Sequence, residues 1–367
     1  MNYKETLFFV AKCLTITLEK ENRKEIETQL KSTEIDWDAV VKLSTEHYVF
    51  PALYCNLKRA DFLKHLPEEL VNYMIYITDL NRERNLQIIE QAKEVNELLL
   101  DNNITPIFLK GTGNLLEGLY EDVAERMVGD IDFIVSKDDY LKTIKNLKND
   151  KYTEFLKNKH PFPHTRHYAR IVKENGIAAL EIHDELITEK YFKYFGYDYI
   201  SKSVMTNCNN ENFISYKNQL RLTIISKHIN DSGYLFKNIS LRNTYDLFLL
   251  SKKNDAKNTV MEIKKISHYL NTYLASSYEV MGSPYTLTYN RNKQTEKYLK
   301  IFYKNLKDKP DTRIKYLNKY LFLKLRFNVV KKVLIKKEMR DWFFELISNK
   351  NWQQEKLSQL GLKKTKS

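Results

Sequence analysis

The chain reads as an α+β protein, mostly helical, with a small α/β core built on a mixed sheet and flanked by N- and C-terminal helical regions. Three observations carry that expectation. Only 9 Gly and 7 Pro punctuate 367 residues, which favours long helices over many tight turns. Stretches at both ends repeat apolar residues at helical spacing with charges between them. Between these, from Thr105 to His183, the pattern changes to short apolar runs bounded by turn residues, the mark of strands alternating with helices. The expected boundaries are 1–103 for the N-terminal helical region, 104–200 for the core, and 201–367 for a C-terminal helical region with a basic tail.

In chain order, TLFFVAKCLTITL has helical spacing, and Ile35-Asp36-Trp37-Asp38 opens a helix with acids in its first turn. Pro51 in HYVFPALYCNL marks another helix start. The segment from Pro67 to Ile104 reads as one long helix or a helical pair, with apolar Leu86, Ile89, Val95, Leu98 and Leu99 recurring between charged residues. Asp101-Asn102-Asn103 stops it. TPIFL is then a short strand, Gly113–Tyr120 a helix, IDFIV a strand, and 137–149 a helix behind Ser136 as N-cap. HYARIV and IAALEIH form a hairpin around Glu174-Asn175-Gly176. Beyond residue 200 the chain returns to helix in LRLTIISKHIND, RNTYDLFLLSK and KNTVMEIKKISHYLNTYLAS. The final LKKTKS reads as a frayed tail.

Hydrophobic content of 43 % suits globular folding. Cys13, Cys55 and Cys208 are far apart, which argues against a zinc site or disulfide framework and fits a reducing cytoplasm. No signal peptide and no apolar run of roughly 20 residues is seen, so a soluble, cytoplasmic protein is expected. The net charge of +13 is uneven: from Arg291 onward 22 Lys and Arg face 7 Asp and Glu, a balance of +15. Such a basic end suits nucleic acid, acidic lipid or a polyanionic substrate, and equally a solvated lysine-rich face.

The chemistry gathers in Thr105–Val135. On a strand, residues two apart share a face, so Asp130 and Asp132 lie side by side while Ile131 and Phe133 turn into the core. Two such carboxylates resist ionising together unless a cation sits between them, and a divalent metal with bound phosphate is a common answer. Lys110-Gly111-Thr112 follows a strand and opens a helix, a place that receives phosphate. Arg126 stands four residues before Asp130, within reach of such a phosphate. Glu181, on a later strand with His183 on the same face, supplies a third carboxylate that would complete a two-metal cluster. The bland alternatives are a surface Lys110, an Arg126 paired with Glu121 or Glu125, a structural His183, and a polar hairpin edge at His164, Arg166 and His167. His228 and Asp246 read as braces between the C-terminal helices and the core.

FLKGTGNLLEGLY, ERMVGDIDFIV and ALEIHDEL together resemble the uncharacterised nucleotidyltransferase family of the polymerase-β nucleotidyltransferase superfamily, whose pattern is LKG, then R-x-x-G-D-I-D, then E-x-H. Asp36-Trp37, His47–Pro51, IISKHI and RNTYDLFLL extend the likeness over roughly residues 30–250. The resemblance implies a polymerase-β-like core in which Asp130, Asp132 and Glu181 are catalytic and bind metal, Glu181 standing near the acceptor hydroxyl. Lys110, Gly111 and Thr112 would form the turn under the triphosphate, assisted by Arg126. The turn is Gly-Thr where such enzymes commonly have Gly-Ser, and Asp184 stands where this family often has Trp. The implied activity is Mg²⁺-dependent transfer of NMP from an NTP such as ATP, with two ions and release of pyrophosphate. The acceptor could be a small molecule, a protein or RNA such as tRNA, the basic C-terminal segment being compatible with nucleic acid. The competing expectations are a non-catalytic nucleotide- or RNA-binding protein with a degenerate core, and peripheral association with anionic membrane through residues 315–346.

Overall fold

The computed structural model describes residues 1–32, 34–155, 162–163, 165–307, 311–350 and 352–354. Two compact units emerge: residues 1–155 with 166–309, and residues 156–165 with 310–367. The first holds every element discussed below except two helices of the second, Asp311–Ile335 and Lys337–Ser348. The architecture is α+β and mostly helical, as expected.

Five α-helices precede the sheet: Tyr3–Cys13, Lys20–Ser32, Trp37–Glu46, Phe50–Arg59 and Glu68–Asp101. Their starts follow local chemistry. Asn2 and Glu5 form a reciprocal capping box, Asp36 accepts from the Ala39 amide at 3.0 Å, and Pro51 sits in a first turn where its missing N–H costs nothing. The segment from Pro67 is one continuous helix of 34 residues.

The seven strands are β1 (Ile107–Phe108), β2 (Asp130–Ile134), β3 (Thr153–Glu154), β4 (Ile171–Val172), β5 (Ala179–His183), β6 (Val204–Thr206) and β7 (Asn212–Ile214). They form one mixed sheet in the order β3-β4-β5-β2-β1-β7-β6. β2 runs parallel to β5 and β1 parallel to β7, while the other neighbours are antiparallel. Ile131, Phe133, Leu180 and Ile182 are fully buried on the apolar face, where the Phe108 and Phe133 rings lie 6.0 Å apart.

Several elements differ from the sequence reading. The helix after β1 spans Lys110–Glu117, starting earlier than expected and ending at Gly118, whose φ of 76° suits a left-handed C-cap. The next helix begins at Tyr140, because the Ser136 hydroxyl and the Asp139 amide first close a turn. β6 and β7 lie in a stretch read as leading into helix. Three-residue strands are too short to display alternation, and only the Asn-rich turn Asn207–Asn210 marked them. After β7 come the helices Tyr216–Ile224, Leu241–Ser251, Ala256–Met261, Ser267–Val280 and Lys293–Lys307. The tail LKKTKS lies outside the described residues. Among the described residues no helix is long and apolar enough to cross a membrane.

The long helix Glu68–Asp101 fixes both acid-bearing strands by their leading ends. Asn85 Nδ2 donates to the carbonyls of Val123 and Arg126 at 2.6 and 2.7 Å, and Asn81 Nδ2 to that of Ala124 at 2.7 Å, just ahead of β2. Gln91 exchanges two hydrogen bonds of 3.0 Å with the backbone of Ala178, just ahead of β5. Buried carbonyls robbed of their donor cost about 1–3 kcal/mol. Asn85→Leu should therefore lower unfolding stability by about that amount, read as a shift in the urea midpoint at constant slope.

Candidate active site

The pairing of β2 with β5 sets Asp132 opposite Glu181 and Asp130 opposite Ala179. Side chains alternate, so Asp130, Asp132, Glu181 and His183 all rise from one face of the sheet. One ligand atom from each of Asp132, Glu181 and His183 lies within 4.8 Å of the others. All three side chains are nearly enclosed. Asp130 shares the face but stands outside that group, its Oδ2 directed at Arg170.

Cationic and polar groups hold these carboxylates together. Lys110 Nζ donates to Asp132 Oδ1 at 2.6 Å and lies 3.6 Å from Glu181 Oε2 and 3.2 Å from His183 Nε2. His183 Nε2 is 2.8 Å from the same Asp132 oxygen. Arg170 bridges the remaining two acids, with Nε on Glu181 Oε1 at 2.8 Å and Nη2 on Asp130 Oδ2 at 2.9 Å.

The proton affinities follow from this arrangement. Burial alone would lift the Glu181 carboxyl, but the His183 hydrogen bond and the Lys110 charge outweigh it and hold the group well below the usual carboxylate range. Asp130 goes the other way: burial, with the Glu181 and Asp132 charges, raises it against the pull of Arg170 and Lys110. Burial works against the Lys110 ammonium, yet Asp132 and Glu181 raise its pKa above the usual lysine value.

Lys110 reaches the acids through an uncommon backbone. It opens its helix at φ 52°, a left-handed conformation that side chains disfavour by roughly 1–2 kcal/mol. The Leu109 amide donates to the Asp132 carbonyl at 2.9 Å, and the Thr112 hydroxyl donates to the Asp130 carbonyl at 3.0 Å. A Cβ on Gly111 would come within 3.0 Å of Val128 Cγ2, so the turn sits flush against the segment leading into β2. Gly111 and Thr112 thus attach the turn to the strand, and only Lys110 extends a side chain to the carboxylates.

Arg126 directs its hydrogen bonds away from the carboxylate cluster. It is buried, with Nε shared between both Asp246 oxygens at 3.0 Å and Nη1 donating to the Met127 carbonyl at 2.7 Å. Tyr120 donates to the same Asp246 at 2.7 Å. Asp246 therefore braces the helix Leu241–Ser251 against the core, as the sequence suggested. His228 is buried among Tyr234, Tyr273 and Tyr298, 3.2 Å from Thr272 Oγ1 and away from the acids. His167 stacks edge-on against His183 with ring centres 5.5 Å apart. Arg166 feels the charges of Asp231 and Glu181, although burial pushes its guanidinium below the usual value. His164 lies outside the described residues.

Arg170 was missed by the sequence reading, although its position was countable. The hairpin pairs Ile171 with Leu180, so it is centred between Asn175 and Gly176. Counting outward from that centre sets Arg170 opposite Glu181. Ile171 stands four positions after His167, whereas His183 stands only three after Leu180, so a one-residue bulge follows and breaks the expected six-residue strand.

The opposed proton affinities separate the two acids in stability. Glu181, held low, stabilises the fold above its unfolded pKa of roughly 4.3, and this contribution is lost as pH falls below that value. Glu181→Gln should lower the melting temperature at pH 7, with the difference shrinking below about pH 4. Asp130, held high, binds its proton more tightly when folded, so stability declines as pH rises from roughly 3.9 through its folded value. Asp130→Asn removes that penalty and should melt no lower than the unmutated chain at pH 7. Thermal melts from pH 3 to 8 read both.

Comparison with known proteins bears on what this face does. The model of an uncharacterised nucleotidyltransferase family matches residues 33–273, a span that includes all seven strands and every residue of the acidic cluster. No curated protein and no solved structure matches the chain. The match covers well over half of the sequence, and the chain belongs to this uncharacterised nucleotidyltransferase family.

Proposed function

We propose that the chain transfers a nucleoside monophosphate from a nucleoside triphosphate to an acceptor hydroxyl, with Mg²⁺ as cofactor and pyrophosphate as second product. The observation that carries this reading is the register setting Asp132 beside Glu181 with the Lys110 ammonium between them. A lysine nitrogen at the meeting point of Asp132, Glu181 and His183 marks a place that accepts a cation. The donor set, hard carboxylate oxygens with one imidazole nitrogen, fits a divalent ion of the Mg²⁺ or Mn²⁺ class. Asp132 and Glu181 would hold it with His183 adjoining, and Asp130 would join them for a second ion. When bound, Mg²⁺ neutralises phosphate charge and polarises the reacting oxygens.

The chain's own residues account for the rest. Glu181 remains anionic at neutral pH and accepts a hydrogen bond from the acceptor hydroxyl, turning its oxygen toward the α-phosphorus. The bond from that oxygen to phosphorus forms while the bond from phosphorus to the β-phosphate breaks. The hydroxyl proton leaves through the carboxylate group to solvent. Lys110, held charged, neutralises the departing pyrophosphate. Arg170 keeps Asp130 and Glu181 from repelling one another until phosphate competes for its guanidinium.

The test is incubation of the full chain with each α-labelled NTP, Mg²⁺ and cell extract separated into RNA, protein and small-molecule fractions. Label should appear in one fraction, which names the acceptor class. Asp130→Ala and Asp132→Ala should each reduce transfer by at least about 10²–10³-fold, with unchanged circular dichroism. Full transfer by the double variant would sink the assignment.

A further inference from the structure

Five arginines of the site-bearing unit are matched to carboxylates: Arg59 to Glu125, Arg82 to Asp122, Arg126 to Asp246, Arg170 to Asp130 and Glu181, and Arg221 to Glu262. Arg84 and Arg242 are among the arginines of this unit that make no direct ion pair with a described residue. Both instead rest on the segment that leads into β2. Arg84, on the helix Glu68–Asp101, extends Nη2 to the Gly129 carbonyl at 3.4 Å. Arg242, on the helix Leu241–Ser251, extends Nη1 to the Met127 carbonyl at 3.5 Å. These contacts are too long to be strong. Arg126 Nη1 donates to the same Met127 carbonyl, so two guanidinium groups converge there with Asp246 as their shared counter-charge.

Arg84 and Arg242 each also keep a donor in reserve. Nη1 of Arg84 and Nε of Arg242 are enclosed and have no hydrogen-bond partner. Burial and the Arg126 charge push the Arg242 guanidinium below its usual value, and Asp246 opposes them. A buried donor without an acceptor costs about 1–3 kcal/mol, and arginine does not escape that cost by losing its proton. What this cluster lacks is an anion with several oxygens in different directions. The Lys110 turn adjoins it, since a Cβ on Gly111 would lie 3.5 Å from both Cζ and Nη2 of Arg126.

We propose that Arg84 and Arg242, beside Arg126, form a diphosphate subsite that receives the β- and γ-phosphates of the nucleoside triphosphate. The assignment to that substrate rests on the transferase reading above. Planar guanidinium forks suit phosphate oxygens two at a time. The two arginines come from helices before and after the sheet, so both helical regions grip the part of the nucleotide that leaves.

The probe is inorganic tripolyphosphate, titrated calorimetrically into the full chain in metal-free buffer. The unmutated chain should bind it, and Arg84→Gln and Arg242→Gln should each weaken binding by about tenfold or more with unchanged circular dichroism. Arg242→Lys should retain more affinity than Arg242→Gln, because charge persists when the fork is lost. Asp132→Asn should bind tripolyphosphate at least as well as the unmutated chain. Equal affinity in the unmutated chain and both Gln variants overturns the subsite. So does a loss confined to a single-stranded oligoribonucleotide without a 5′ triphosphate, since the arginines would then serve an acceptor strand. If no NTP is ever transferred while the tripolyphosphate losses appear, the subsite stands as a polyphosphate site and the transferase reading falls.

Discussion

The parallel register of β2 against β5 is the constraint on which the rest of this molecule depends. It sets Asp132 beside Glu181 on strands roughly 4.8 Å apart. A slip of one residue would send Glu181 and His183 into the apolar core and bring Leu180 and Ile182 out. The register is therefore enforced twice, by burial of Ile131, Phe133, Leu180 and Ile182 on one face and by ion pairing on the other. Like charges so close are tolerable only because the Lys110 and Arg170 cations face them. The sheet thus makes the acidic cluster, and the cluster needs cations from outside its two strands.

Those cations are delivered by strained or irregular backbone, which explains the surrounding scaffold. Lys110 adopts φ 52° and is held there by Leu109 and Thr112, whose hydrogen bonds end on the backbone of Asp132 and Asp130. Arg170 stands where the hairpin departs from regular pairing. Strain of this kind persists only where the neighbourhood over-determines it. Asn81, Asn85 and Gln91 lie on one face of a helix of 34 residues and fix the leads into both acid-bearing strands. The expectation of a long helix said nothing of this clamp, which resides in three polar residues on its buried side.

Legibility in the sequence followed the range of the interactions. Alternation in GDIDFIV and ALEIH, a local property, revealed two strands and three acids, and the composition gave the helical majority. Lys110 was found because a strand-turn-helix junction is also local. Arg126 was nominated by its closeness to Asp130 in the chain, yet its partner is Asp246, 120 residues away. Arg170 went unnoticed because its relation to Glu181 becomes visible only when the hairpin register is counted from the turn. β6 and β7 escaped because three residues carry no period, and their place beside β1 is a tertiary fact.

The Arg126–Asp246 pair gives the C-terminal helices a larger part than enclosing walls. A buried guanidinium left without its carboxylate is among the costlier defects a fold can carry, about 3–5 kcal/mol. The partner comes from Leu241–Ser251, and Tyr120 adds a further hydrogen bond from just beyond the Lys110 helix. The segment between Arg126 and Asp130 is consequently suspended between helices that come before and after the sheet in the chain: Asn85 takes the Arg126 carbonyl, and Asp246 takes the Arg126 side chain. A core cut at the end of the hairpin would keep all three carboxylates in sequence and lose what holds the approach to β2. The acidic face is therefore a property of the whole first unit, in which the helices before and after the sheet hold the strand that carries Asp130 and Asp132.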